Sequence, residues 1–329
     1  MVNWLKESRN SKHRPTLSDF KKASRSLEGV ILRTPLIPLR RYREEDSGIL
    51  LKPEMLQPIG SYKIRGVYNW VARLTPKQRA RGIATLSTGN MAQAVGYVAN
   101  LFGIPSRIAI SENAAKTKVE NCRKYGSEVD LAKFDDTTFE KADSLGHGYC
   151  FINPLADFGL MDGYGSISLE IVKEMPDVKT IFVPLGAGFL SSGVAFAAKA
   201  LNPSIKVIGV NAENSPHYYE SWRSGKPVPA GYKSTMADGI AAWEGFTPSE
   251  VSLRLIREAL DDVLLVSESE MAKTVRMLAL ENKLVTEAAG AAGLAAALKT
   301  PKEERGRTVC ILSGGSIDAV KLAHILEEE

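Results

Sequence analysis

Thr180-Ile181-Phe182-Val183-Pro184-Leu185-Gly186-Ala187-Gly188-Phe189-Leu190 is an apolar run that ends in a glycine turn and opens into the helical pattern Leu190 to Leu201. A short buried strand, a tight turn and a helix in that order make one βα unit. Two other stretches follow the same plan, Leu86-Ser87-Thr88-Gly89-Asn90 and Ile311-Leu312-Ser313-Gly314-Gly315-Ser316. Working outward, apolar runs alternate with helical patterns almost from end to end. The expected strands are Ile49 to Lys52, Ile83 to Leu86, Arg107 to Ile110, Glu128 to Ala132, Cys150 to Ile152, Thr180 to Val183, Lys206 to Val210, Val263 to Val266 and Thr308 to Leu312. That alternation predicts an α/β protein with a mainly parallel, twisted sheet. No Gly-, Ser- or Pro-rich linker divides the chain, and the one long irregular stretch expected is Trp222 to Met236.

The 329 residues are 44% hydrophobic and 24% charged, enough for one large α/β domain or two smaller ones. The formal net charge is +4, but basic residues are interleaved with acids along helical patterns. This argues for small anionic ligands and against nucleic acid. Cys122, Cys150 and Cys310 have no metal-ligand spacing, and their odd number suits a reducing compartment. Met1 to Pro15 lacks the apolar core of a signal peptide, and the most apolar stretch, Ala288 to Leu298, is too short to span a bilayer. A cytoplasmic location is expected. Thr247-Pro248-Ser249-Glu250 reads as an N-cap threonine with proline at the first helical position, and Ser267-Glu268-Ser269-Glu270 has the capping-box spacing. His13, His147, His217 and His324 share no motif and are assigned no catalysis.

Gly60-Ser61-Tyr62-Lys63-Ile64-Arg65-Gly66 places a lysine at the start of an amphipathic helix in which Ile64, Val67 and Trp70 can pack while Arg65 points elsewhere. An amine that attacks a carbonyl must shed its proton, which calls for a partly buried site. Taken singly, each motif has an ordinary reading: a solvated lysine, a tight turn, a capped strand. Together, three strand-to-helix junctions, two of them glycine turns whose backbone N–H groups and helix N-termini suit phosphate or carboxylate, plus one lysine, suit an aldehyde cofactor.

Over nearly the whole chain these motifs resemble the fold-type II pyridoxal phosphate enzymes of the serine/threonine dehydratase and serine racemase branch. Their pattern is S-x-K-x-R-G, then S-x-G-N, a glycine-rich loop and a terminal S-G-G. The resemblance implies a three-layer αβα, tryptophan synthase β-like fold: a large domain of residues 1–79 and 154–329 with a smaller α/β domain, 80–153, inserted. It implies that Lys63 carries pyridoxal 5'-phosphate as a Schiff base and, once freed by the substrate amine, takes the α-proton. Gly186, Ala187, Gly188, Phe189 and Leu190 would cradle the phosphate, although the family usually has four consecutive glycines and Ala187 and Phe189 replace the second and fourth. Ser87, Thr88, Gly89, Asn90 and Met91 would grip the substrate carboxylate, with Asn90 also on the ring oxygen. Thr88 keeps a hydroxyl where the racemase has a serine that serves as the second acid/base. Met91 replaces a frequent histidine and is expected to pack as an ordinary helix residue. Ser313 would hydrogen-bond the pyridine nitrogen and leave it largely unprotonated, which favours elimination over a long-lived carbanion. Gly239 and Glu287 would line the ring. The racemase binds a divalent cation through two acidic residues; Glu213 matches the first and Tyr219 falls at the second, so no metal is expected.

The activity implied is that of an ammonia-lyase turning L-threonine or L-serine into a 2-oxo acid and ammonia, in a homodimer or higher homo-oligomer. Nothing like an added regulatory domain follows Leu326, so feedback inhibition is not expected. Amino-acid racemisation, motivated by Thr88, and β-replacement or threonine synthase-like chemistry are the alternatives on the same scaffold. A Rossmann-type nucleotide-binding protein is disfavoured because no G-x-G-x-x-G opens an early βαβ unit. Phe189 is the feature that leaves a non-catalytic relative in view.

Overall fold

The computed structural model describes residues 14–40, 48–87, 89–112, 114, 116–133, 148–154 and 157–327. Ten strands fall into two sheets among these residues. The larger has the order β1 (Ile37–Pro38), β2 (Ile49–Pro53), β10 (Thr308–Leu312), β7 (Thr180–Pro184), β8 (Lys206–Ala212), β9 (Asp262–Val266). The smaller has the order β5 (Glu128–Ala132), β4 (Ser106–Ser111), β3 (Ile83–Ser87), β6 (Cys150–Ile152). Every pairing is parallel except β1 with β2.

The central strands read as continuous apolar runs because helices cover both faces of a parallel sheet. All five residues of β7, of β10 and of β3 are buried. At the edge, β5 alternates exposed Glu128 and Asp130 with half-buried Val129, and charge of that kind discourages edge-to-edge pairing. The alanine- and glycine-rich run forms the helix Ala288–Lys299, buried from Ala288 to Ala297 against the larger sheet. Its small side chains permit the close approach: a Cβ on Gly293 would lie 3.1 Å from the Phe182 carbonyl oxygen.

All nine expected strands are present, most longer by a residue or two, and β1 is an addition. Several local expectations need correction. The helix expected to be capped by Thr247 begins at Glu250, with Ser249 as its N-cap, because the Ser249 hydroxyl accepts the Ser252 N–H at 3.1 Å. The capping box at Ser267 and Glu270 forms as read, from the Ser267 N–H to Glu270 at 2.7 Å and from the Glu270 N–H back to Ser267 at 3.2 Å. Trp222 to Ser224, expected to be irregular, are the last turn of the helix His217–Ser224, which Gly225 ends in the left-handed conformation. Cys122 and Cys310 are buried thiols and Cys150 is half-buried.

Candidate active site

The apolar runs end on one side of each sheet, where ligands of parallel α/β folds collect. A cavity of about 470 Å³ opens there, and its wall includes Lys63, Ser87, Asn90, Met91, Gly186 to Leu190, Gly239, Glu287 and Ser313. The structure therefore gathers the expected lysine, both glycine-bearing turns and the terminal serine around one space. Thr88 lies outside the described residues.

Lys63 opens the helix Lys63–Ala72, and the segment before it is stitched to the end of β10 by backbone bonds. The Tyr62 N–H donates to the Ser313 carbonyl at 3.1 Å and the Gly315 N–H donates to the Gly60 carbonyl at 2.9 Å. The Lys63 amine sits 4.9 Å from the centre of the Tyr62 ring and 5.9 Å from that of Tyr164, and the two rings meet edge to face at 4.8 Å. Cation–π attraction holds an ammonium in that position. Tyr164 packs so tightly on the helix that a Cβ at Gly66 would fall 2.5 Å from its ring. Arg65 stays off the cavity wall, as expected, but is wholly buried rather than solvated.

The turn after β7 fits a phosphate. The helix Phe189–Leu201 starts there, the N-terminal end of a helix favours an anion, and Gly186 to Leu190 line the cavity. Gly188 has φ +89, and a Cβ there would stand 2.6 Å from Ile256 Cδ1. Lys283 is the single non-glycine with positive φ among the described residues, so Ala187 and Phe189 keep ordinary backbone angles. The two departures from a run of glycines thus leave the backbone cradle intact. The Ser191 hydroxyl is used locally, donating to the Gly188 carbonyl at 3.0 Å.

The turn after β3 is shaped by Ser87, whose hydroxyl accepts the N–H of Gly89 at 2.9 Å and of Ala92 at 3.2 Å. Asn90 begins the next helix and donates through Nδ2 to Glu287 Oε1 at 2.6 Å. Glu287 in turn is fixed by its own N–H on the Gly314 carbonyl at 3.1 Å. Met91 is buried as helix packing requires, and it also reaches the cavity wall.

Three wall residues were not singled out by the sequence. Lys118, on the helix Lys116–Lys124, is buried with Nζ 3.3 Å from Asp238 Oδ2 and 3.6 Å from Glu287 Oε2. Burial opposes its charge, but Glu287 and Asp238 outweigh that and raise its pKa. Glu287 is raised as well, by burial and by the negative charge of Asp238, against the pull of Lys118 and Asn90. The one sequence signal for Lys118 is that it shares a helical face with buried Val119 and Cys122. Tyr164 is the second, with a buried hydroxyl that finds no hydrogen-bond partner among the described residues. His217 is the third; burial lowers its pKa to about 4, and its ring nitrogens lie 2.9 Å from the Ser215 carbonyl and 3.4 Å from that of Gly186. No cluster of three or more metal-ligating side chains occurs among the described residues. Glu213 is exposed.

A lysine and a helix N-terminus that share one cavity at the end of a parallel sheet are the arrangement of a pyridoxal-phosphate enzyme of the second fold type. The chain belongs to the pyridoxal-phosphate dependent enzyme family, which it matches over residues 27–314. It is 38% identical over 317 residues to the L-threonine ammonia-lyase of Thermotoga maritima, covering 95% of this chain and 78% of that one. It is 35% identical to the catabolic L-threonine dehydratase of Escherichia coli K12, covering 94% and 95% of the two chains. Maize serine racemase superposes with a TM-score of 0.85 at 30% identity, covering 95% of this chain and 97% of the other. No described helix is long and apolar enough to cross a membrane.

Proposed function

We propose that this pyridoxal-phosphate enzyme is an ammonia-lyase for β-hydroxy amino acids, converting L-threonine or L-serine to a 2-oxo acid and ammonia. The observation that carries the reading is that the segment bearing Lys63 is held against Ser313, the Tyr62 N–H donating to the Ser313 carbonyl at 3.1 Å. Ser313 lines the cavity and would offer a hydroxyl, not a carboxylate, to the ring nitrogen of a bound cofactor. The likeness to the threonine ammonia-lyase and dehydratase supports the same substrate class.

Bound pyridoxal phosphate supplies an electron sink for the pair of electrons left when the α-proton departs. Lys63 would carry the cofactor, and its freed Nζ would take the α-proton, steadied by the Tyr62 and Tyr164 rings. Gly186 to Leu190 would hold the phosphate through backbone N–H groups, and Ser87 to Met91 would orient the substrate carboxylate. Asn90 would reach the ring oxygen from its contact with Glu287. Gly239 would line the ring, and a Cβ there would crowd Ala289 Cβ at 3.0 Å.

A racemase is the second reading, supported by the maize serine racemase likeness and by Thr88 as second acid/base. Residues 80–153 would form a small domain around the four-stranded sheet, and 1–79 with 154–329 the large one. A homodimer in the cytoplasm completes the proposal.

The test is an absorbance spectrum of the purified protein and of Lys63→Ala, followed during addition of L-threonine, L-serine and D-serine while 2-oxo acid and product chirality are measured. A visible band lost in the variant, with 2-oxo acid from wild type, is expected. D-serine formation without 2-oxo acid would replace the lyase with the racemase.

A further inference from the structure

We propose that Lys118 is a substrate-binding residue: its ammonium receives the α-carboxylate of the amino acid beside Gly89, and Asp238 occupies that ammonium until substrate arrives. This rests on the amino-acid substrate proposed above.

Placement comes first. A Cβ built on Gly89 would lie 2.6 Å from Lys118 Cδ and 2.9 Å from Nζ. The lysine stem therefore runs over Gly89, and the ammonium ends beside the start of the helix that Asn90 opens. A side chain at Gly89 would meet the end of the Lys118 side chain.

Satisfaction comes second. An ammonium has three donors, and charge-assisted bonds close to about 2.7–2.9 Å. Lys118 is 3% exposed, yet its contacts with Asp238 and Glu287 stand at 3.3 and 3.6 Å. Among the described residues Glu287 Oε2 has no hydrogen-bond partner. A buried cation held this loosely keeps donor capacity for one more oxygen anion on the cavity wall it lines.

Exchange comes third. Asp238 is 42% exposed and can return to water, whereas Glu287 is 5% exposed and is tied to Asn90. Replacing Asp238 by a substrate carboxylate keeps one anion on the ammonium, so the swap leaves no buried charge uncompensated. The amino end of the substrate is left free for the Lys63 side of the same cavity.

The test uses holoenzyme of wild type, Lys118→Met, Lys118→Arg and Asp238→Asn. L-Alanine, which has no β-hydroxyl to lose, is titrated against the cofactor absorbance, and kcat and KM are measured with L-threonine. Expected are a rise of 10-fold or more in the L-alanine Kd and the L-threonine KM for Lys118→Met, with the resting band and cofactor affinity unchanged. Lys118→Arg recovers part of the loss, and Asp238→Asn lowers both constants several-fold because the competitor is gone. Lys118→Met with wild-type Kd and KM overturns the proposal, as does Asp238→Asn that weakens L-alanine binding; either would make Lys118 a structural tie. Should Lys118→Met not fold, the direction of the Asp238→Asn change decides. A wild type that responds to neither amino acid instead removes the functional reading on which this one stands.

Discussion

Replacing Arg65 with methionine should destabilise the protein more than any exposed substitution, although Arg65 touches no wall of the cavity. All five guanidinium donors are used. Nε and Nη2 hold Glu54 at 2.8 Å each, Nη1 and Nη2 hold Glu170 at 2.7 and 2.9 Å, and Nη1 also reaches the Ser166 hydroxyl at 3.0 Å. Arg65 and Glu54 are fully buried, and Lys52 balances the cluster from the other side of Glu170. Removing one member strands a carboxylate, which costs about 3–5 kcal/mol. Unfolding entropy near 2.1 cal/mol/K per residue gives roughly 0.7 kcal/mol/K for a chain of this length, so Tm should fall by about 4–7 °C. Arg65→Met with Glu54→Gln removes one charge of each sign, leaves the Lys52–Glu170 pair, and should recover most of the loss. The pH dependence has a definite sign. Burial would raise the Glu170 carboxyl, but Arg65 and Lys52 outweigh it and hold it below its usual value. Its contribution is present above the unfolded pKa near 4.3 and is lost as pH falls through the lower folded value, so the gap between wild type and Arg65→Met should narrow in acid. Calorimetry of the holoenzymes from about pH 3 to pH 8 measures both effects. A Tm within about 1 °C of wild type at pH 7, or a gap that widens in acid, would refute the reasoning.

Gly188→Ala should lower cofactor affinity at least 10-fold, read by equilibrium dialysis, because the new Cβ meets both φ +89 and Ile256 Cδ1 at 2.6 Å. Gly103→Ala, at φ +62 with open space around it, is the control that should cost about 1 kcal/mol of stability and leave cofactor binding alone. Asp157→Asn should be stabilising at high pH: burial pushes the Asp157 carboxyl up to about 6 despite a hydrogen bond from Trp70. A raised carboxyl contributes stability below its unfolded pKa near 4 and loses it as pH climbs through 6, so the variant's Tm advantage should appear at pH 8 and vanish at pH 4. An equal shift at both pH values would exclude that origin.

The strands were legible because a parallel strand covered on both faces needs an unbroken apolar run, and Thr180 to Val183 or Thr308 to Leu312 offer no other reading. β1 escaped notice because two residues carry no period. The glycine turns were legible for a related reason: glycine records backbone shape in sequence. Lys118 was not, because Lys116-Thr117-Lys118 looks like any solvated helix turn, and what buries it lies 120 and 169 residues away at Asp238 and Glu287. Tyr164 and His217 were missed on the same ground, since only packing turns an aromatic or imidazole ring toward a cavity.

The two sides of the site are held differently, and that difference has a chemical use. Lys63 and Ser313 are joined through main-chain bonds, Tyr62 N–H to the Ser313 carbonyl and Gly315 N–H to the Gly60 carbonyl, which extend β10 of the larger sheet. Such bonds leave little freedom at the residues that would carry the cofactor and take the proton, where small displacements are costly. The turn after β3 of the smaller sheet, the helix that follows it and the helix Lys116–Lys124 reach across, among the described residues, through side chains: Asn90 to Glu287, Lys118 to Asp238 and Glu287, and Gln93 to the Ser316 hydroxyl at 3.3 Å. Each of those contacts can exchange partners without disturbing a strand. A site that must keep its cofactor through many turnovers and yet admit and release an amino acid needs that asymmetry: main-chain fastening for what stays, side-chain fastening for what comes and goes.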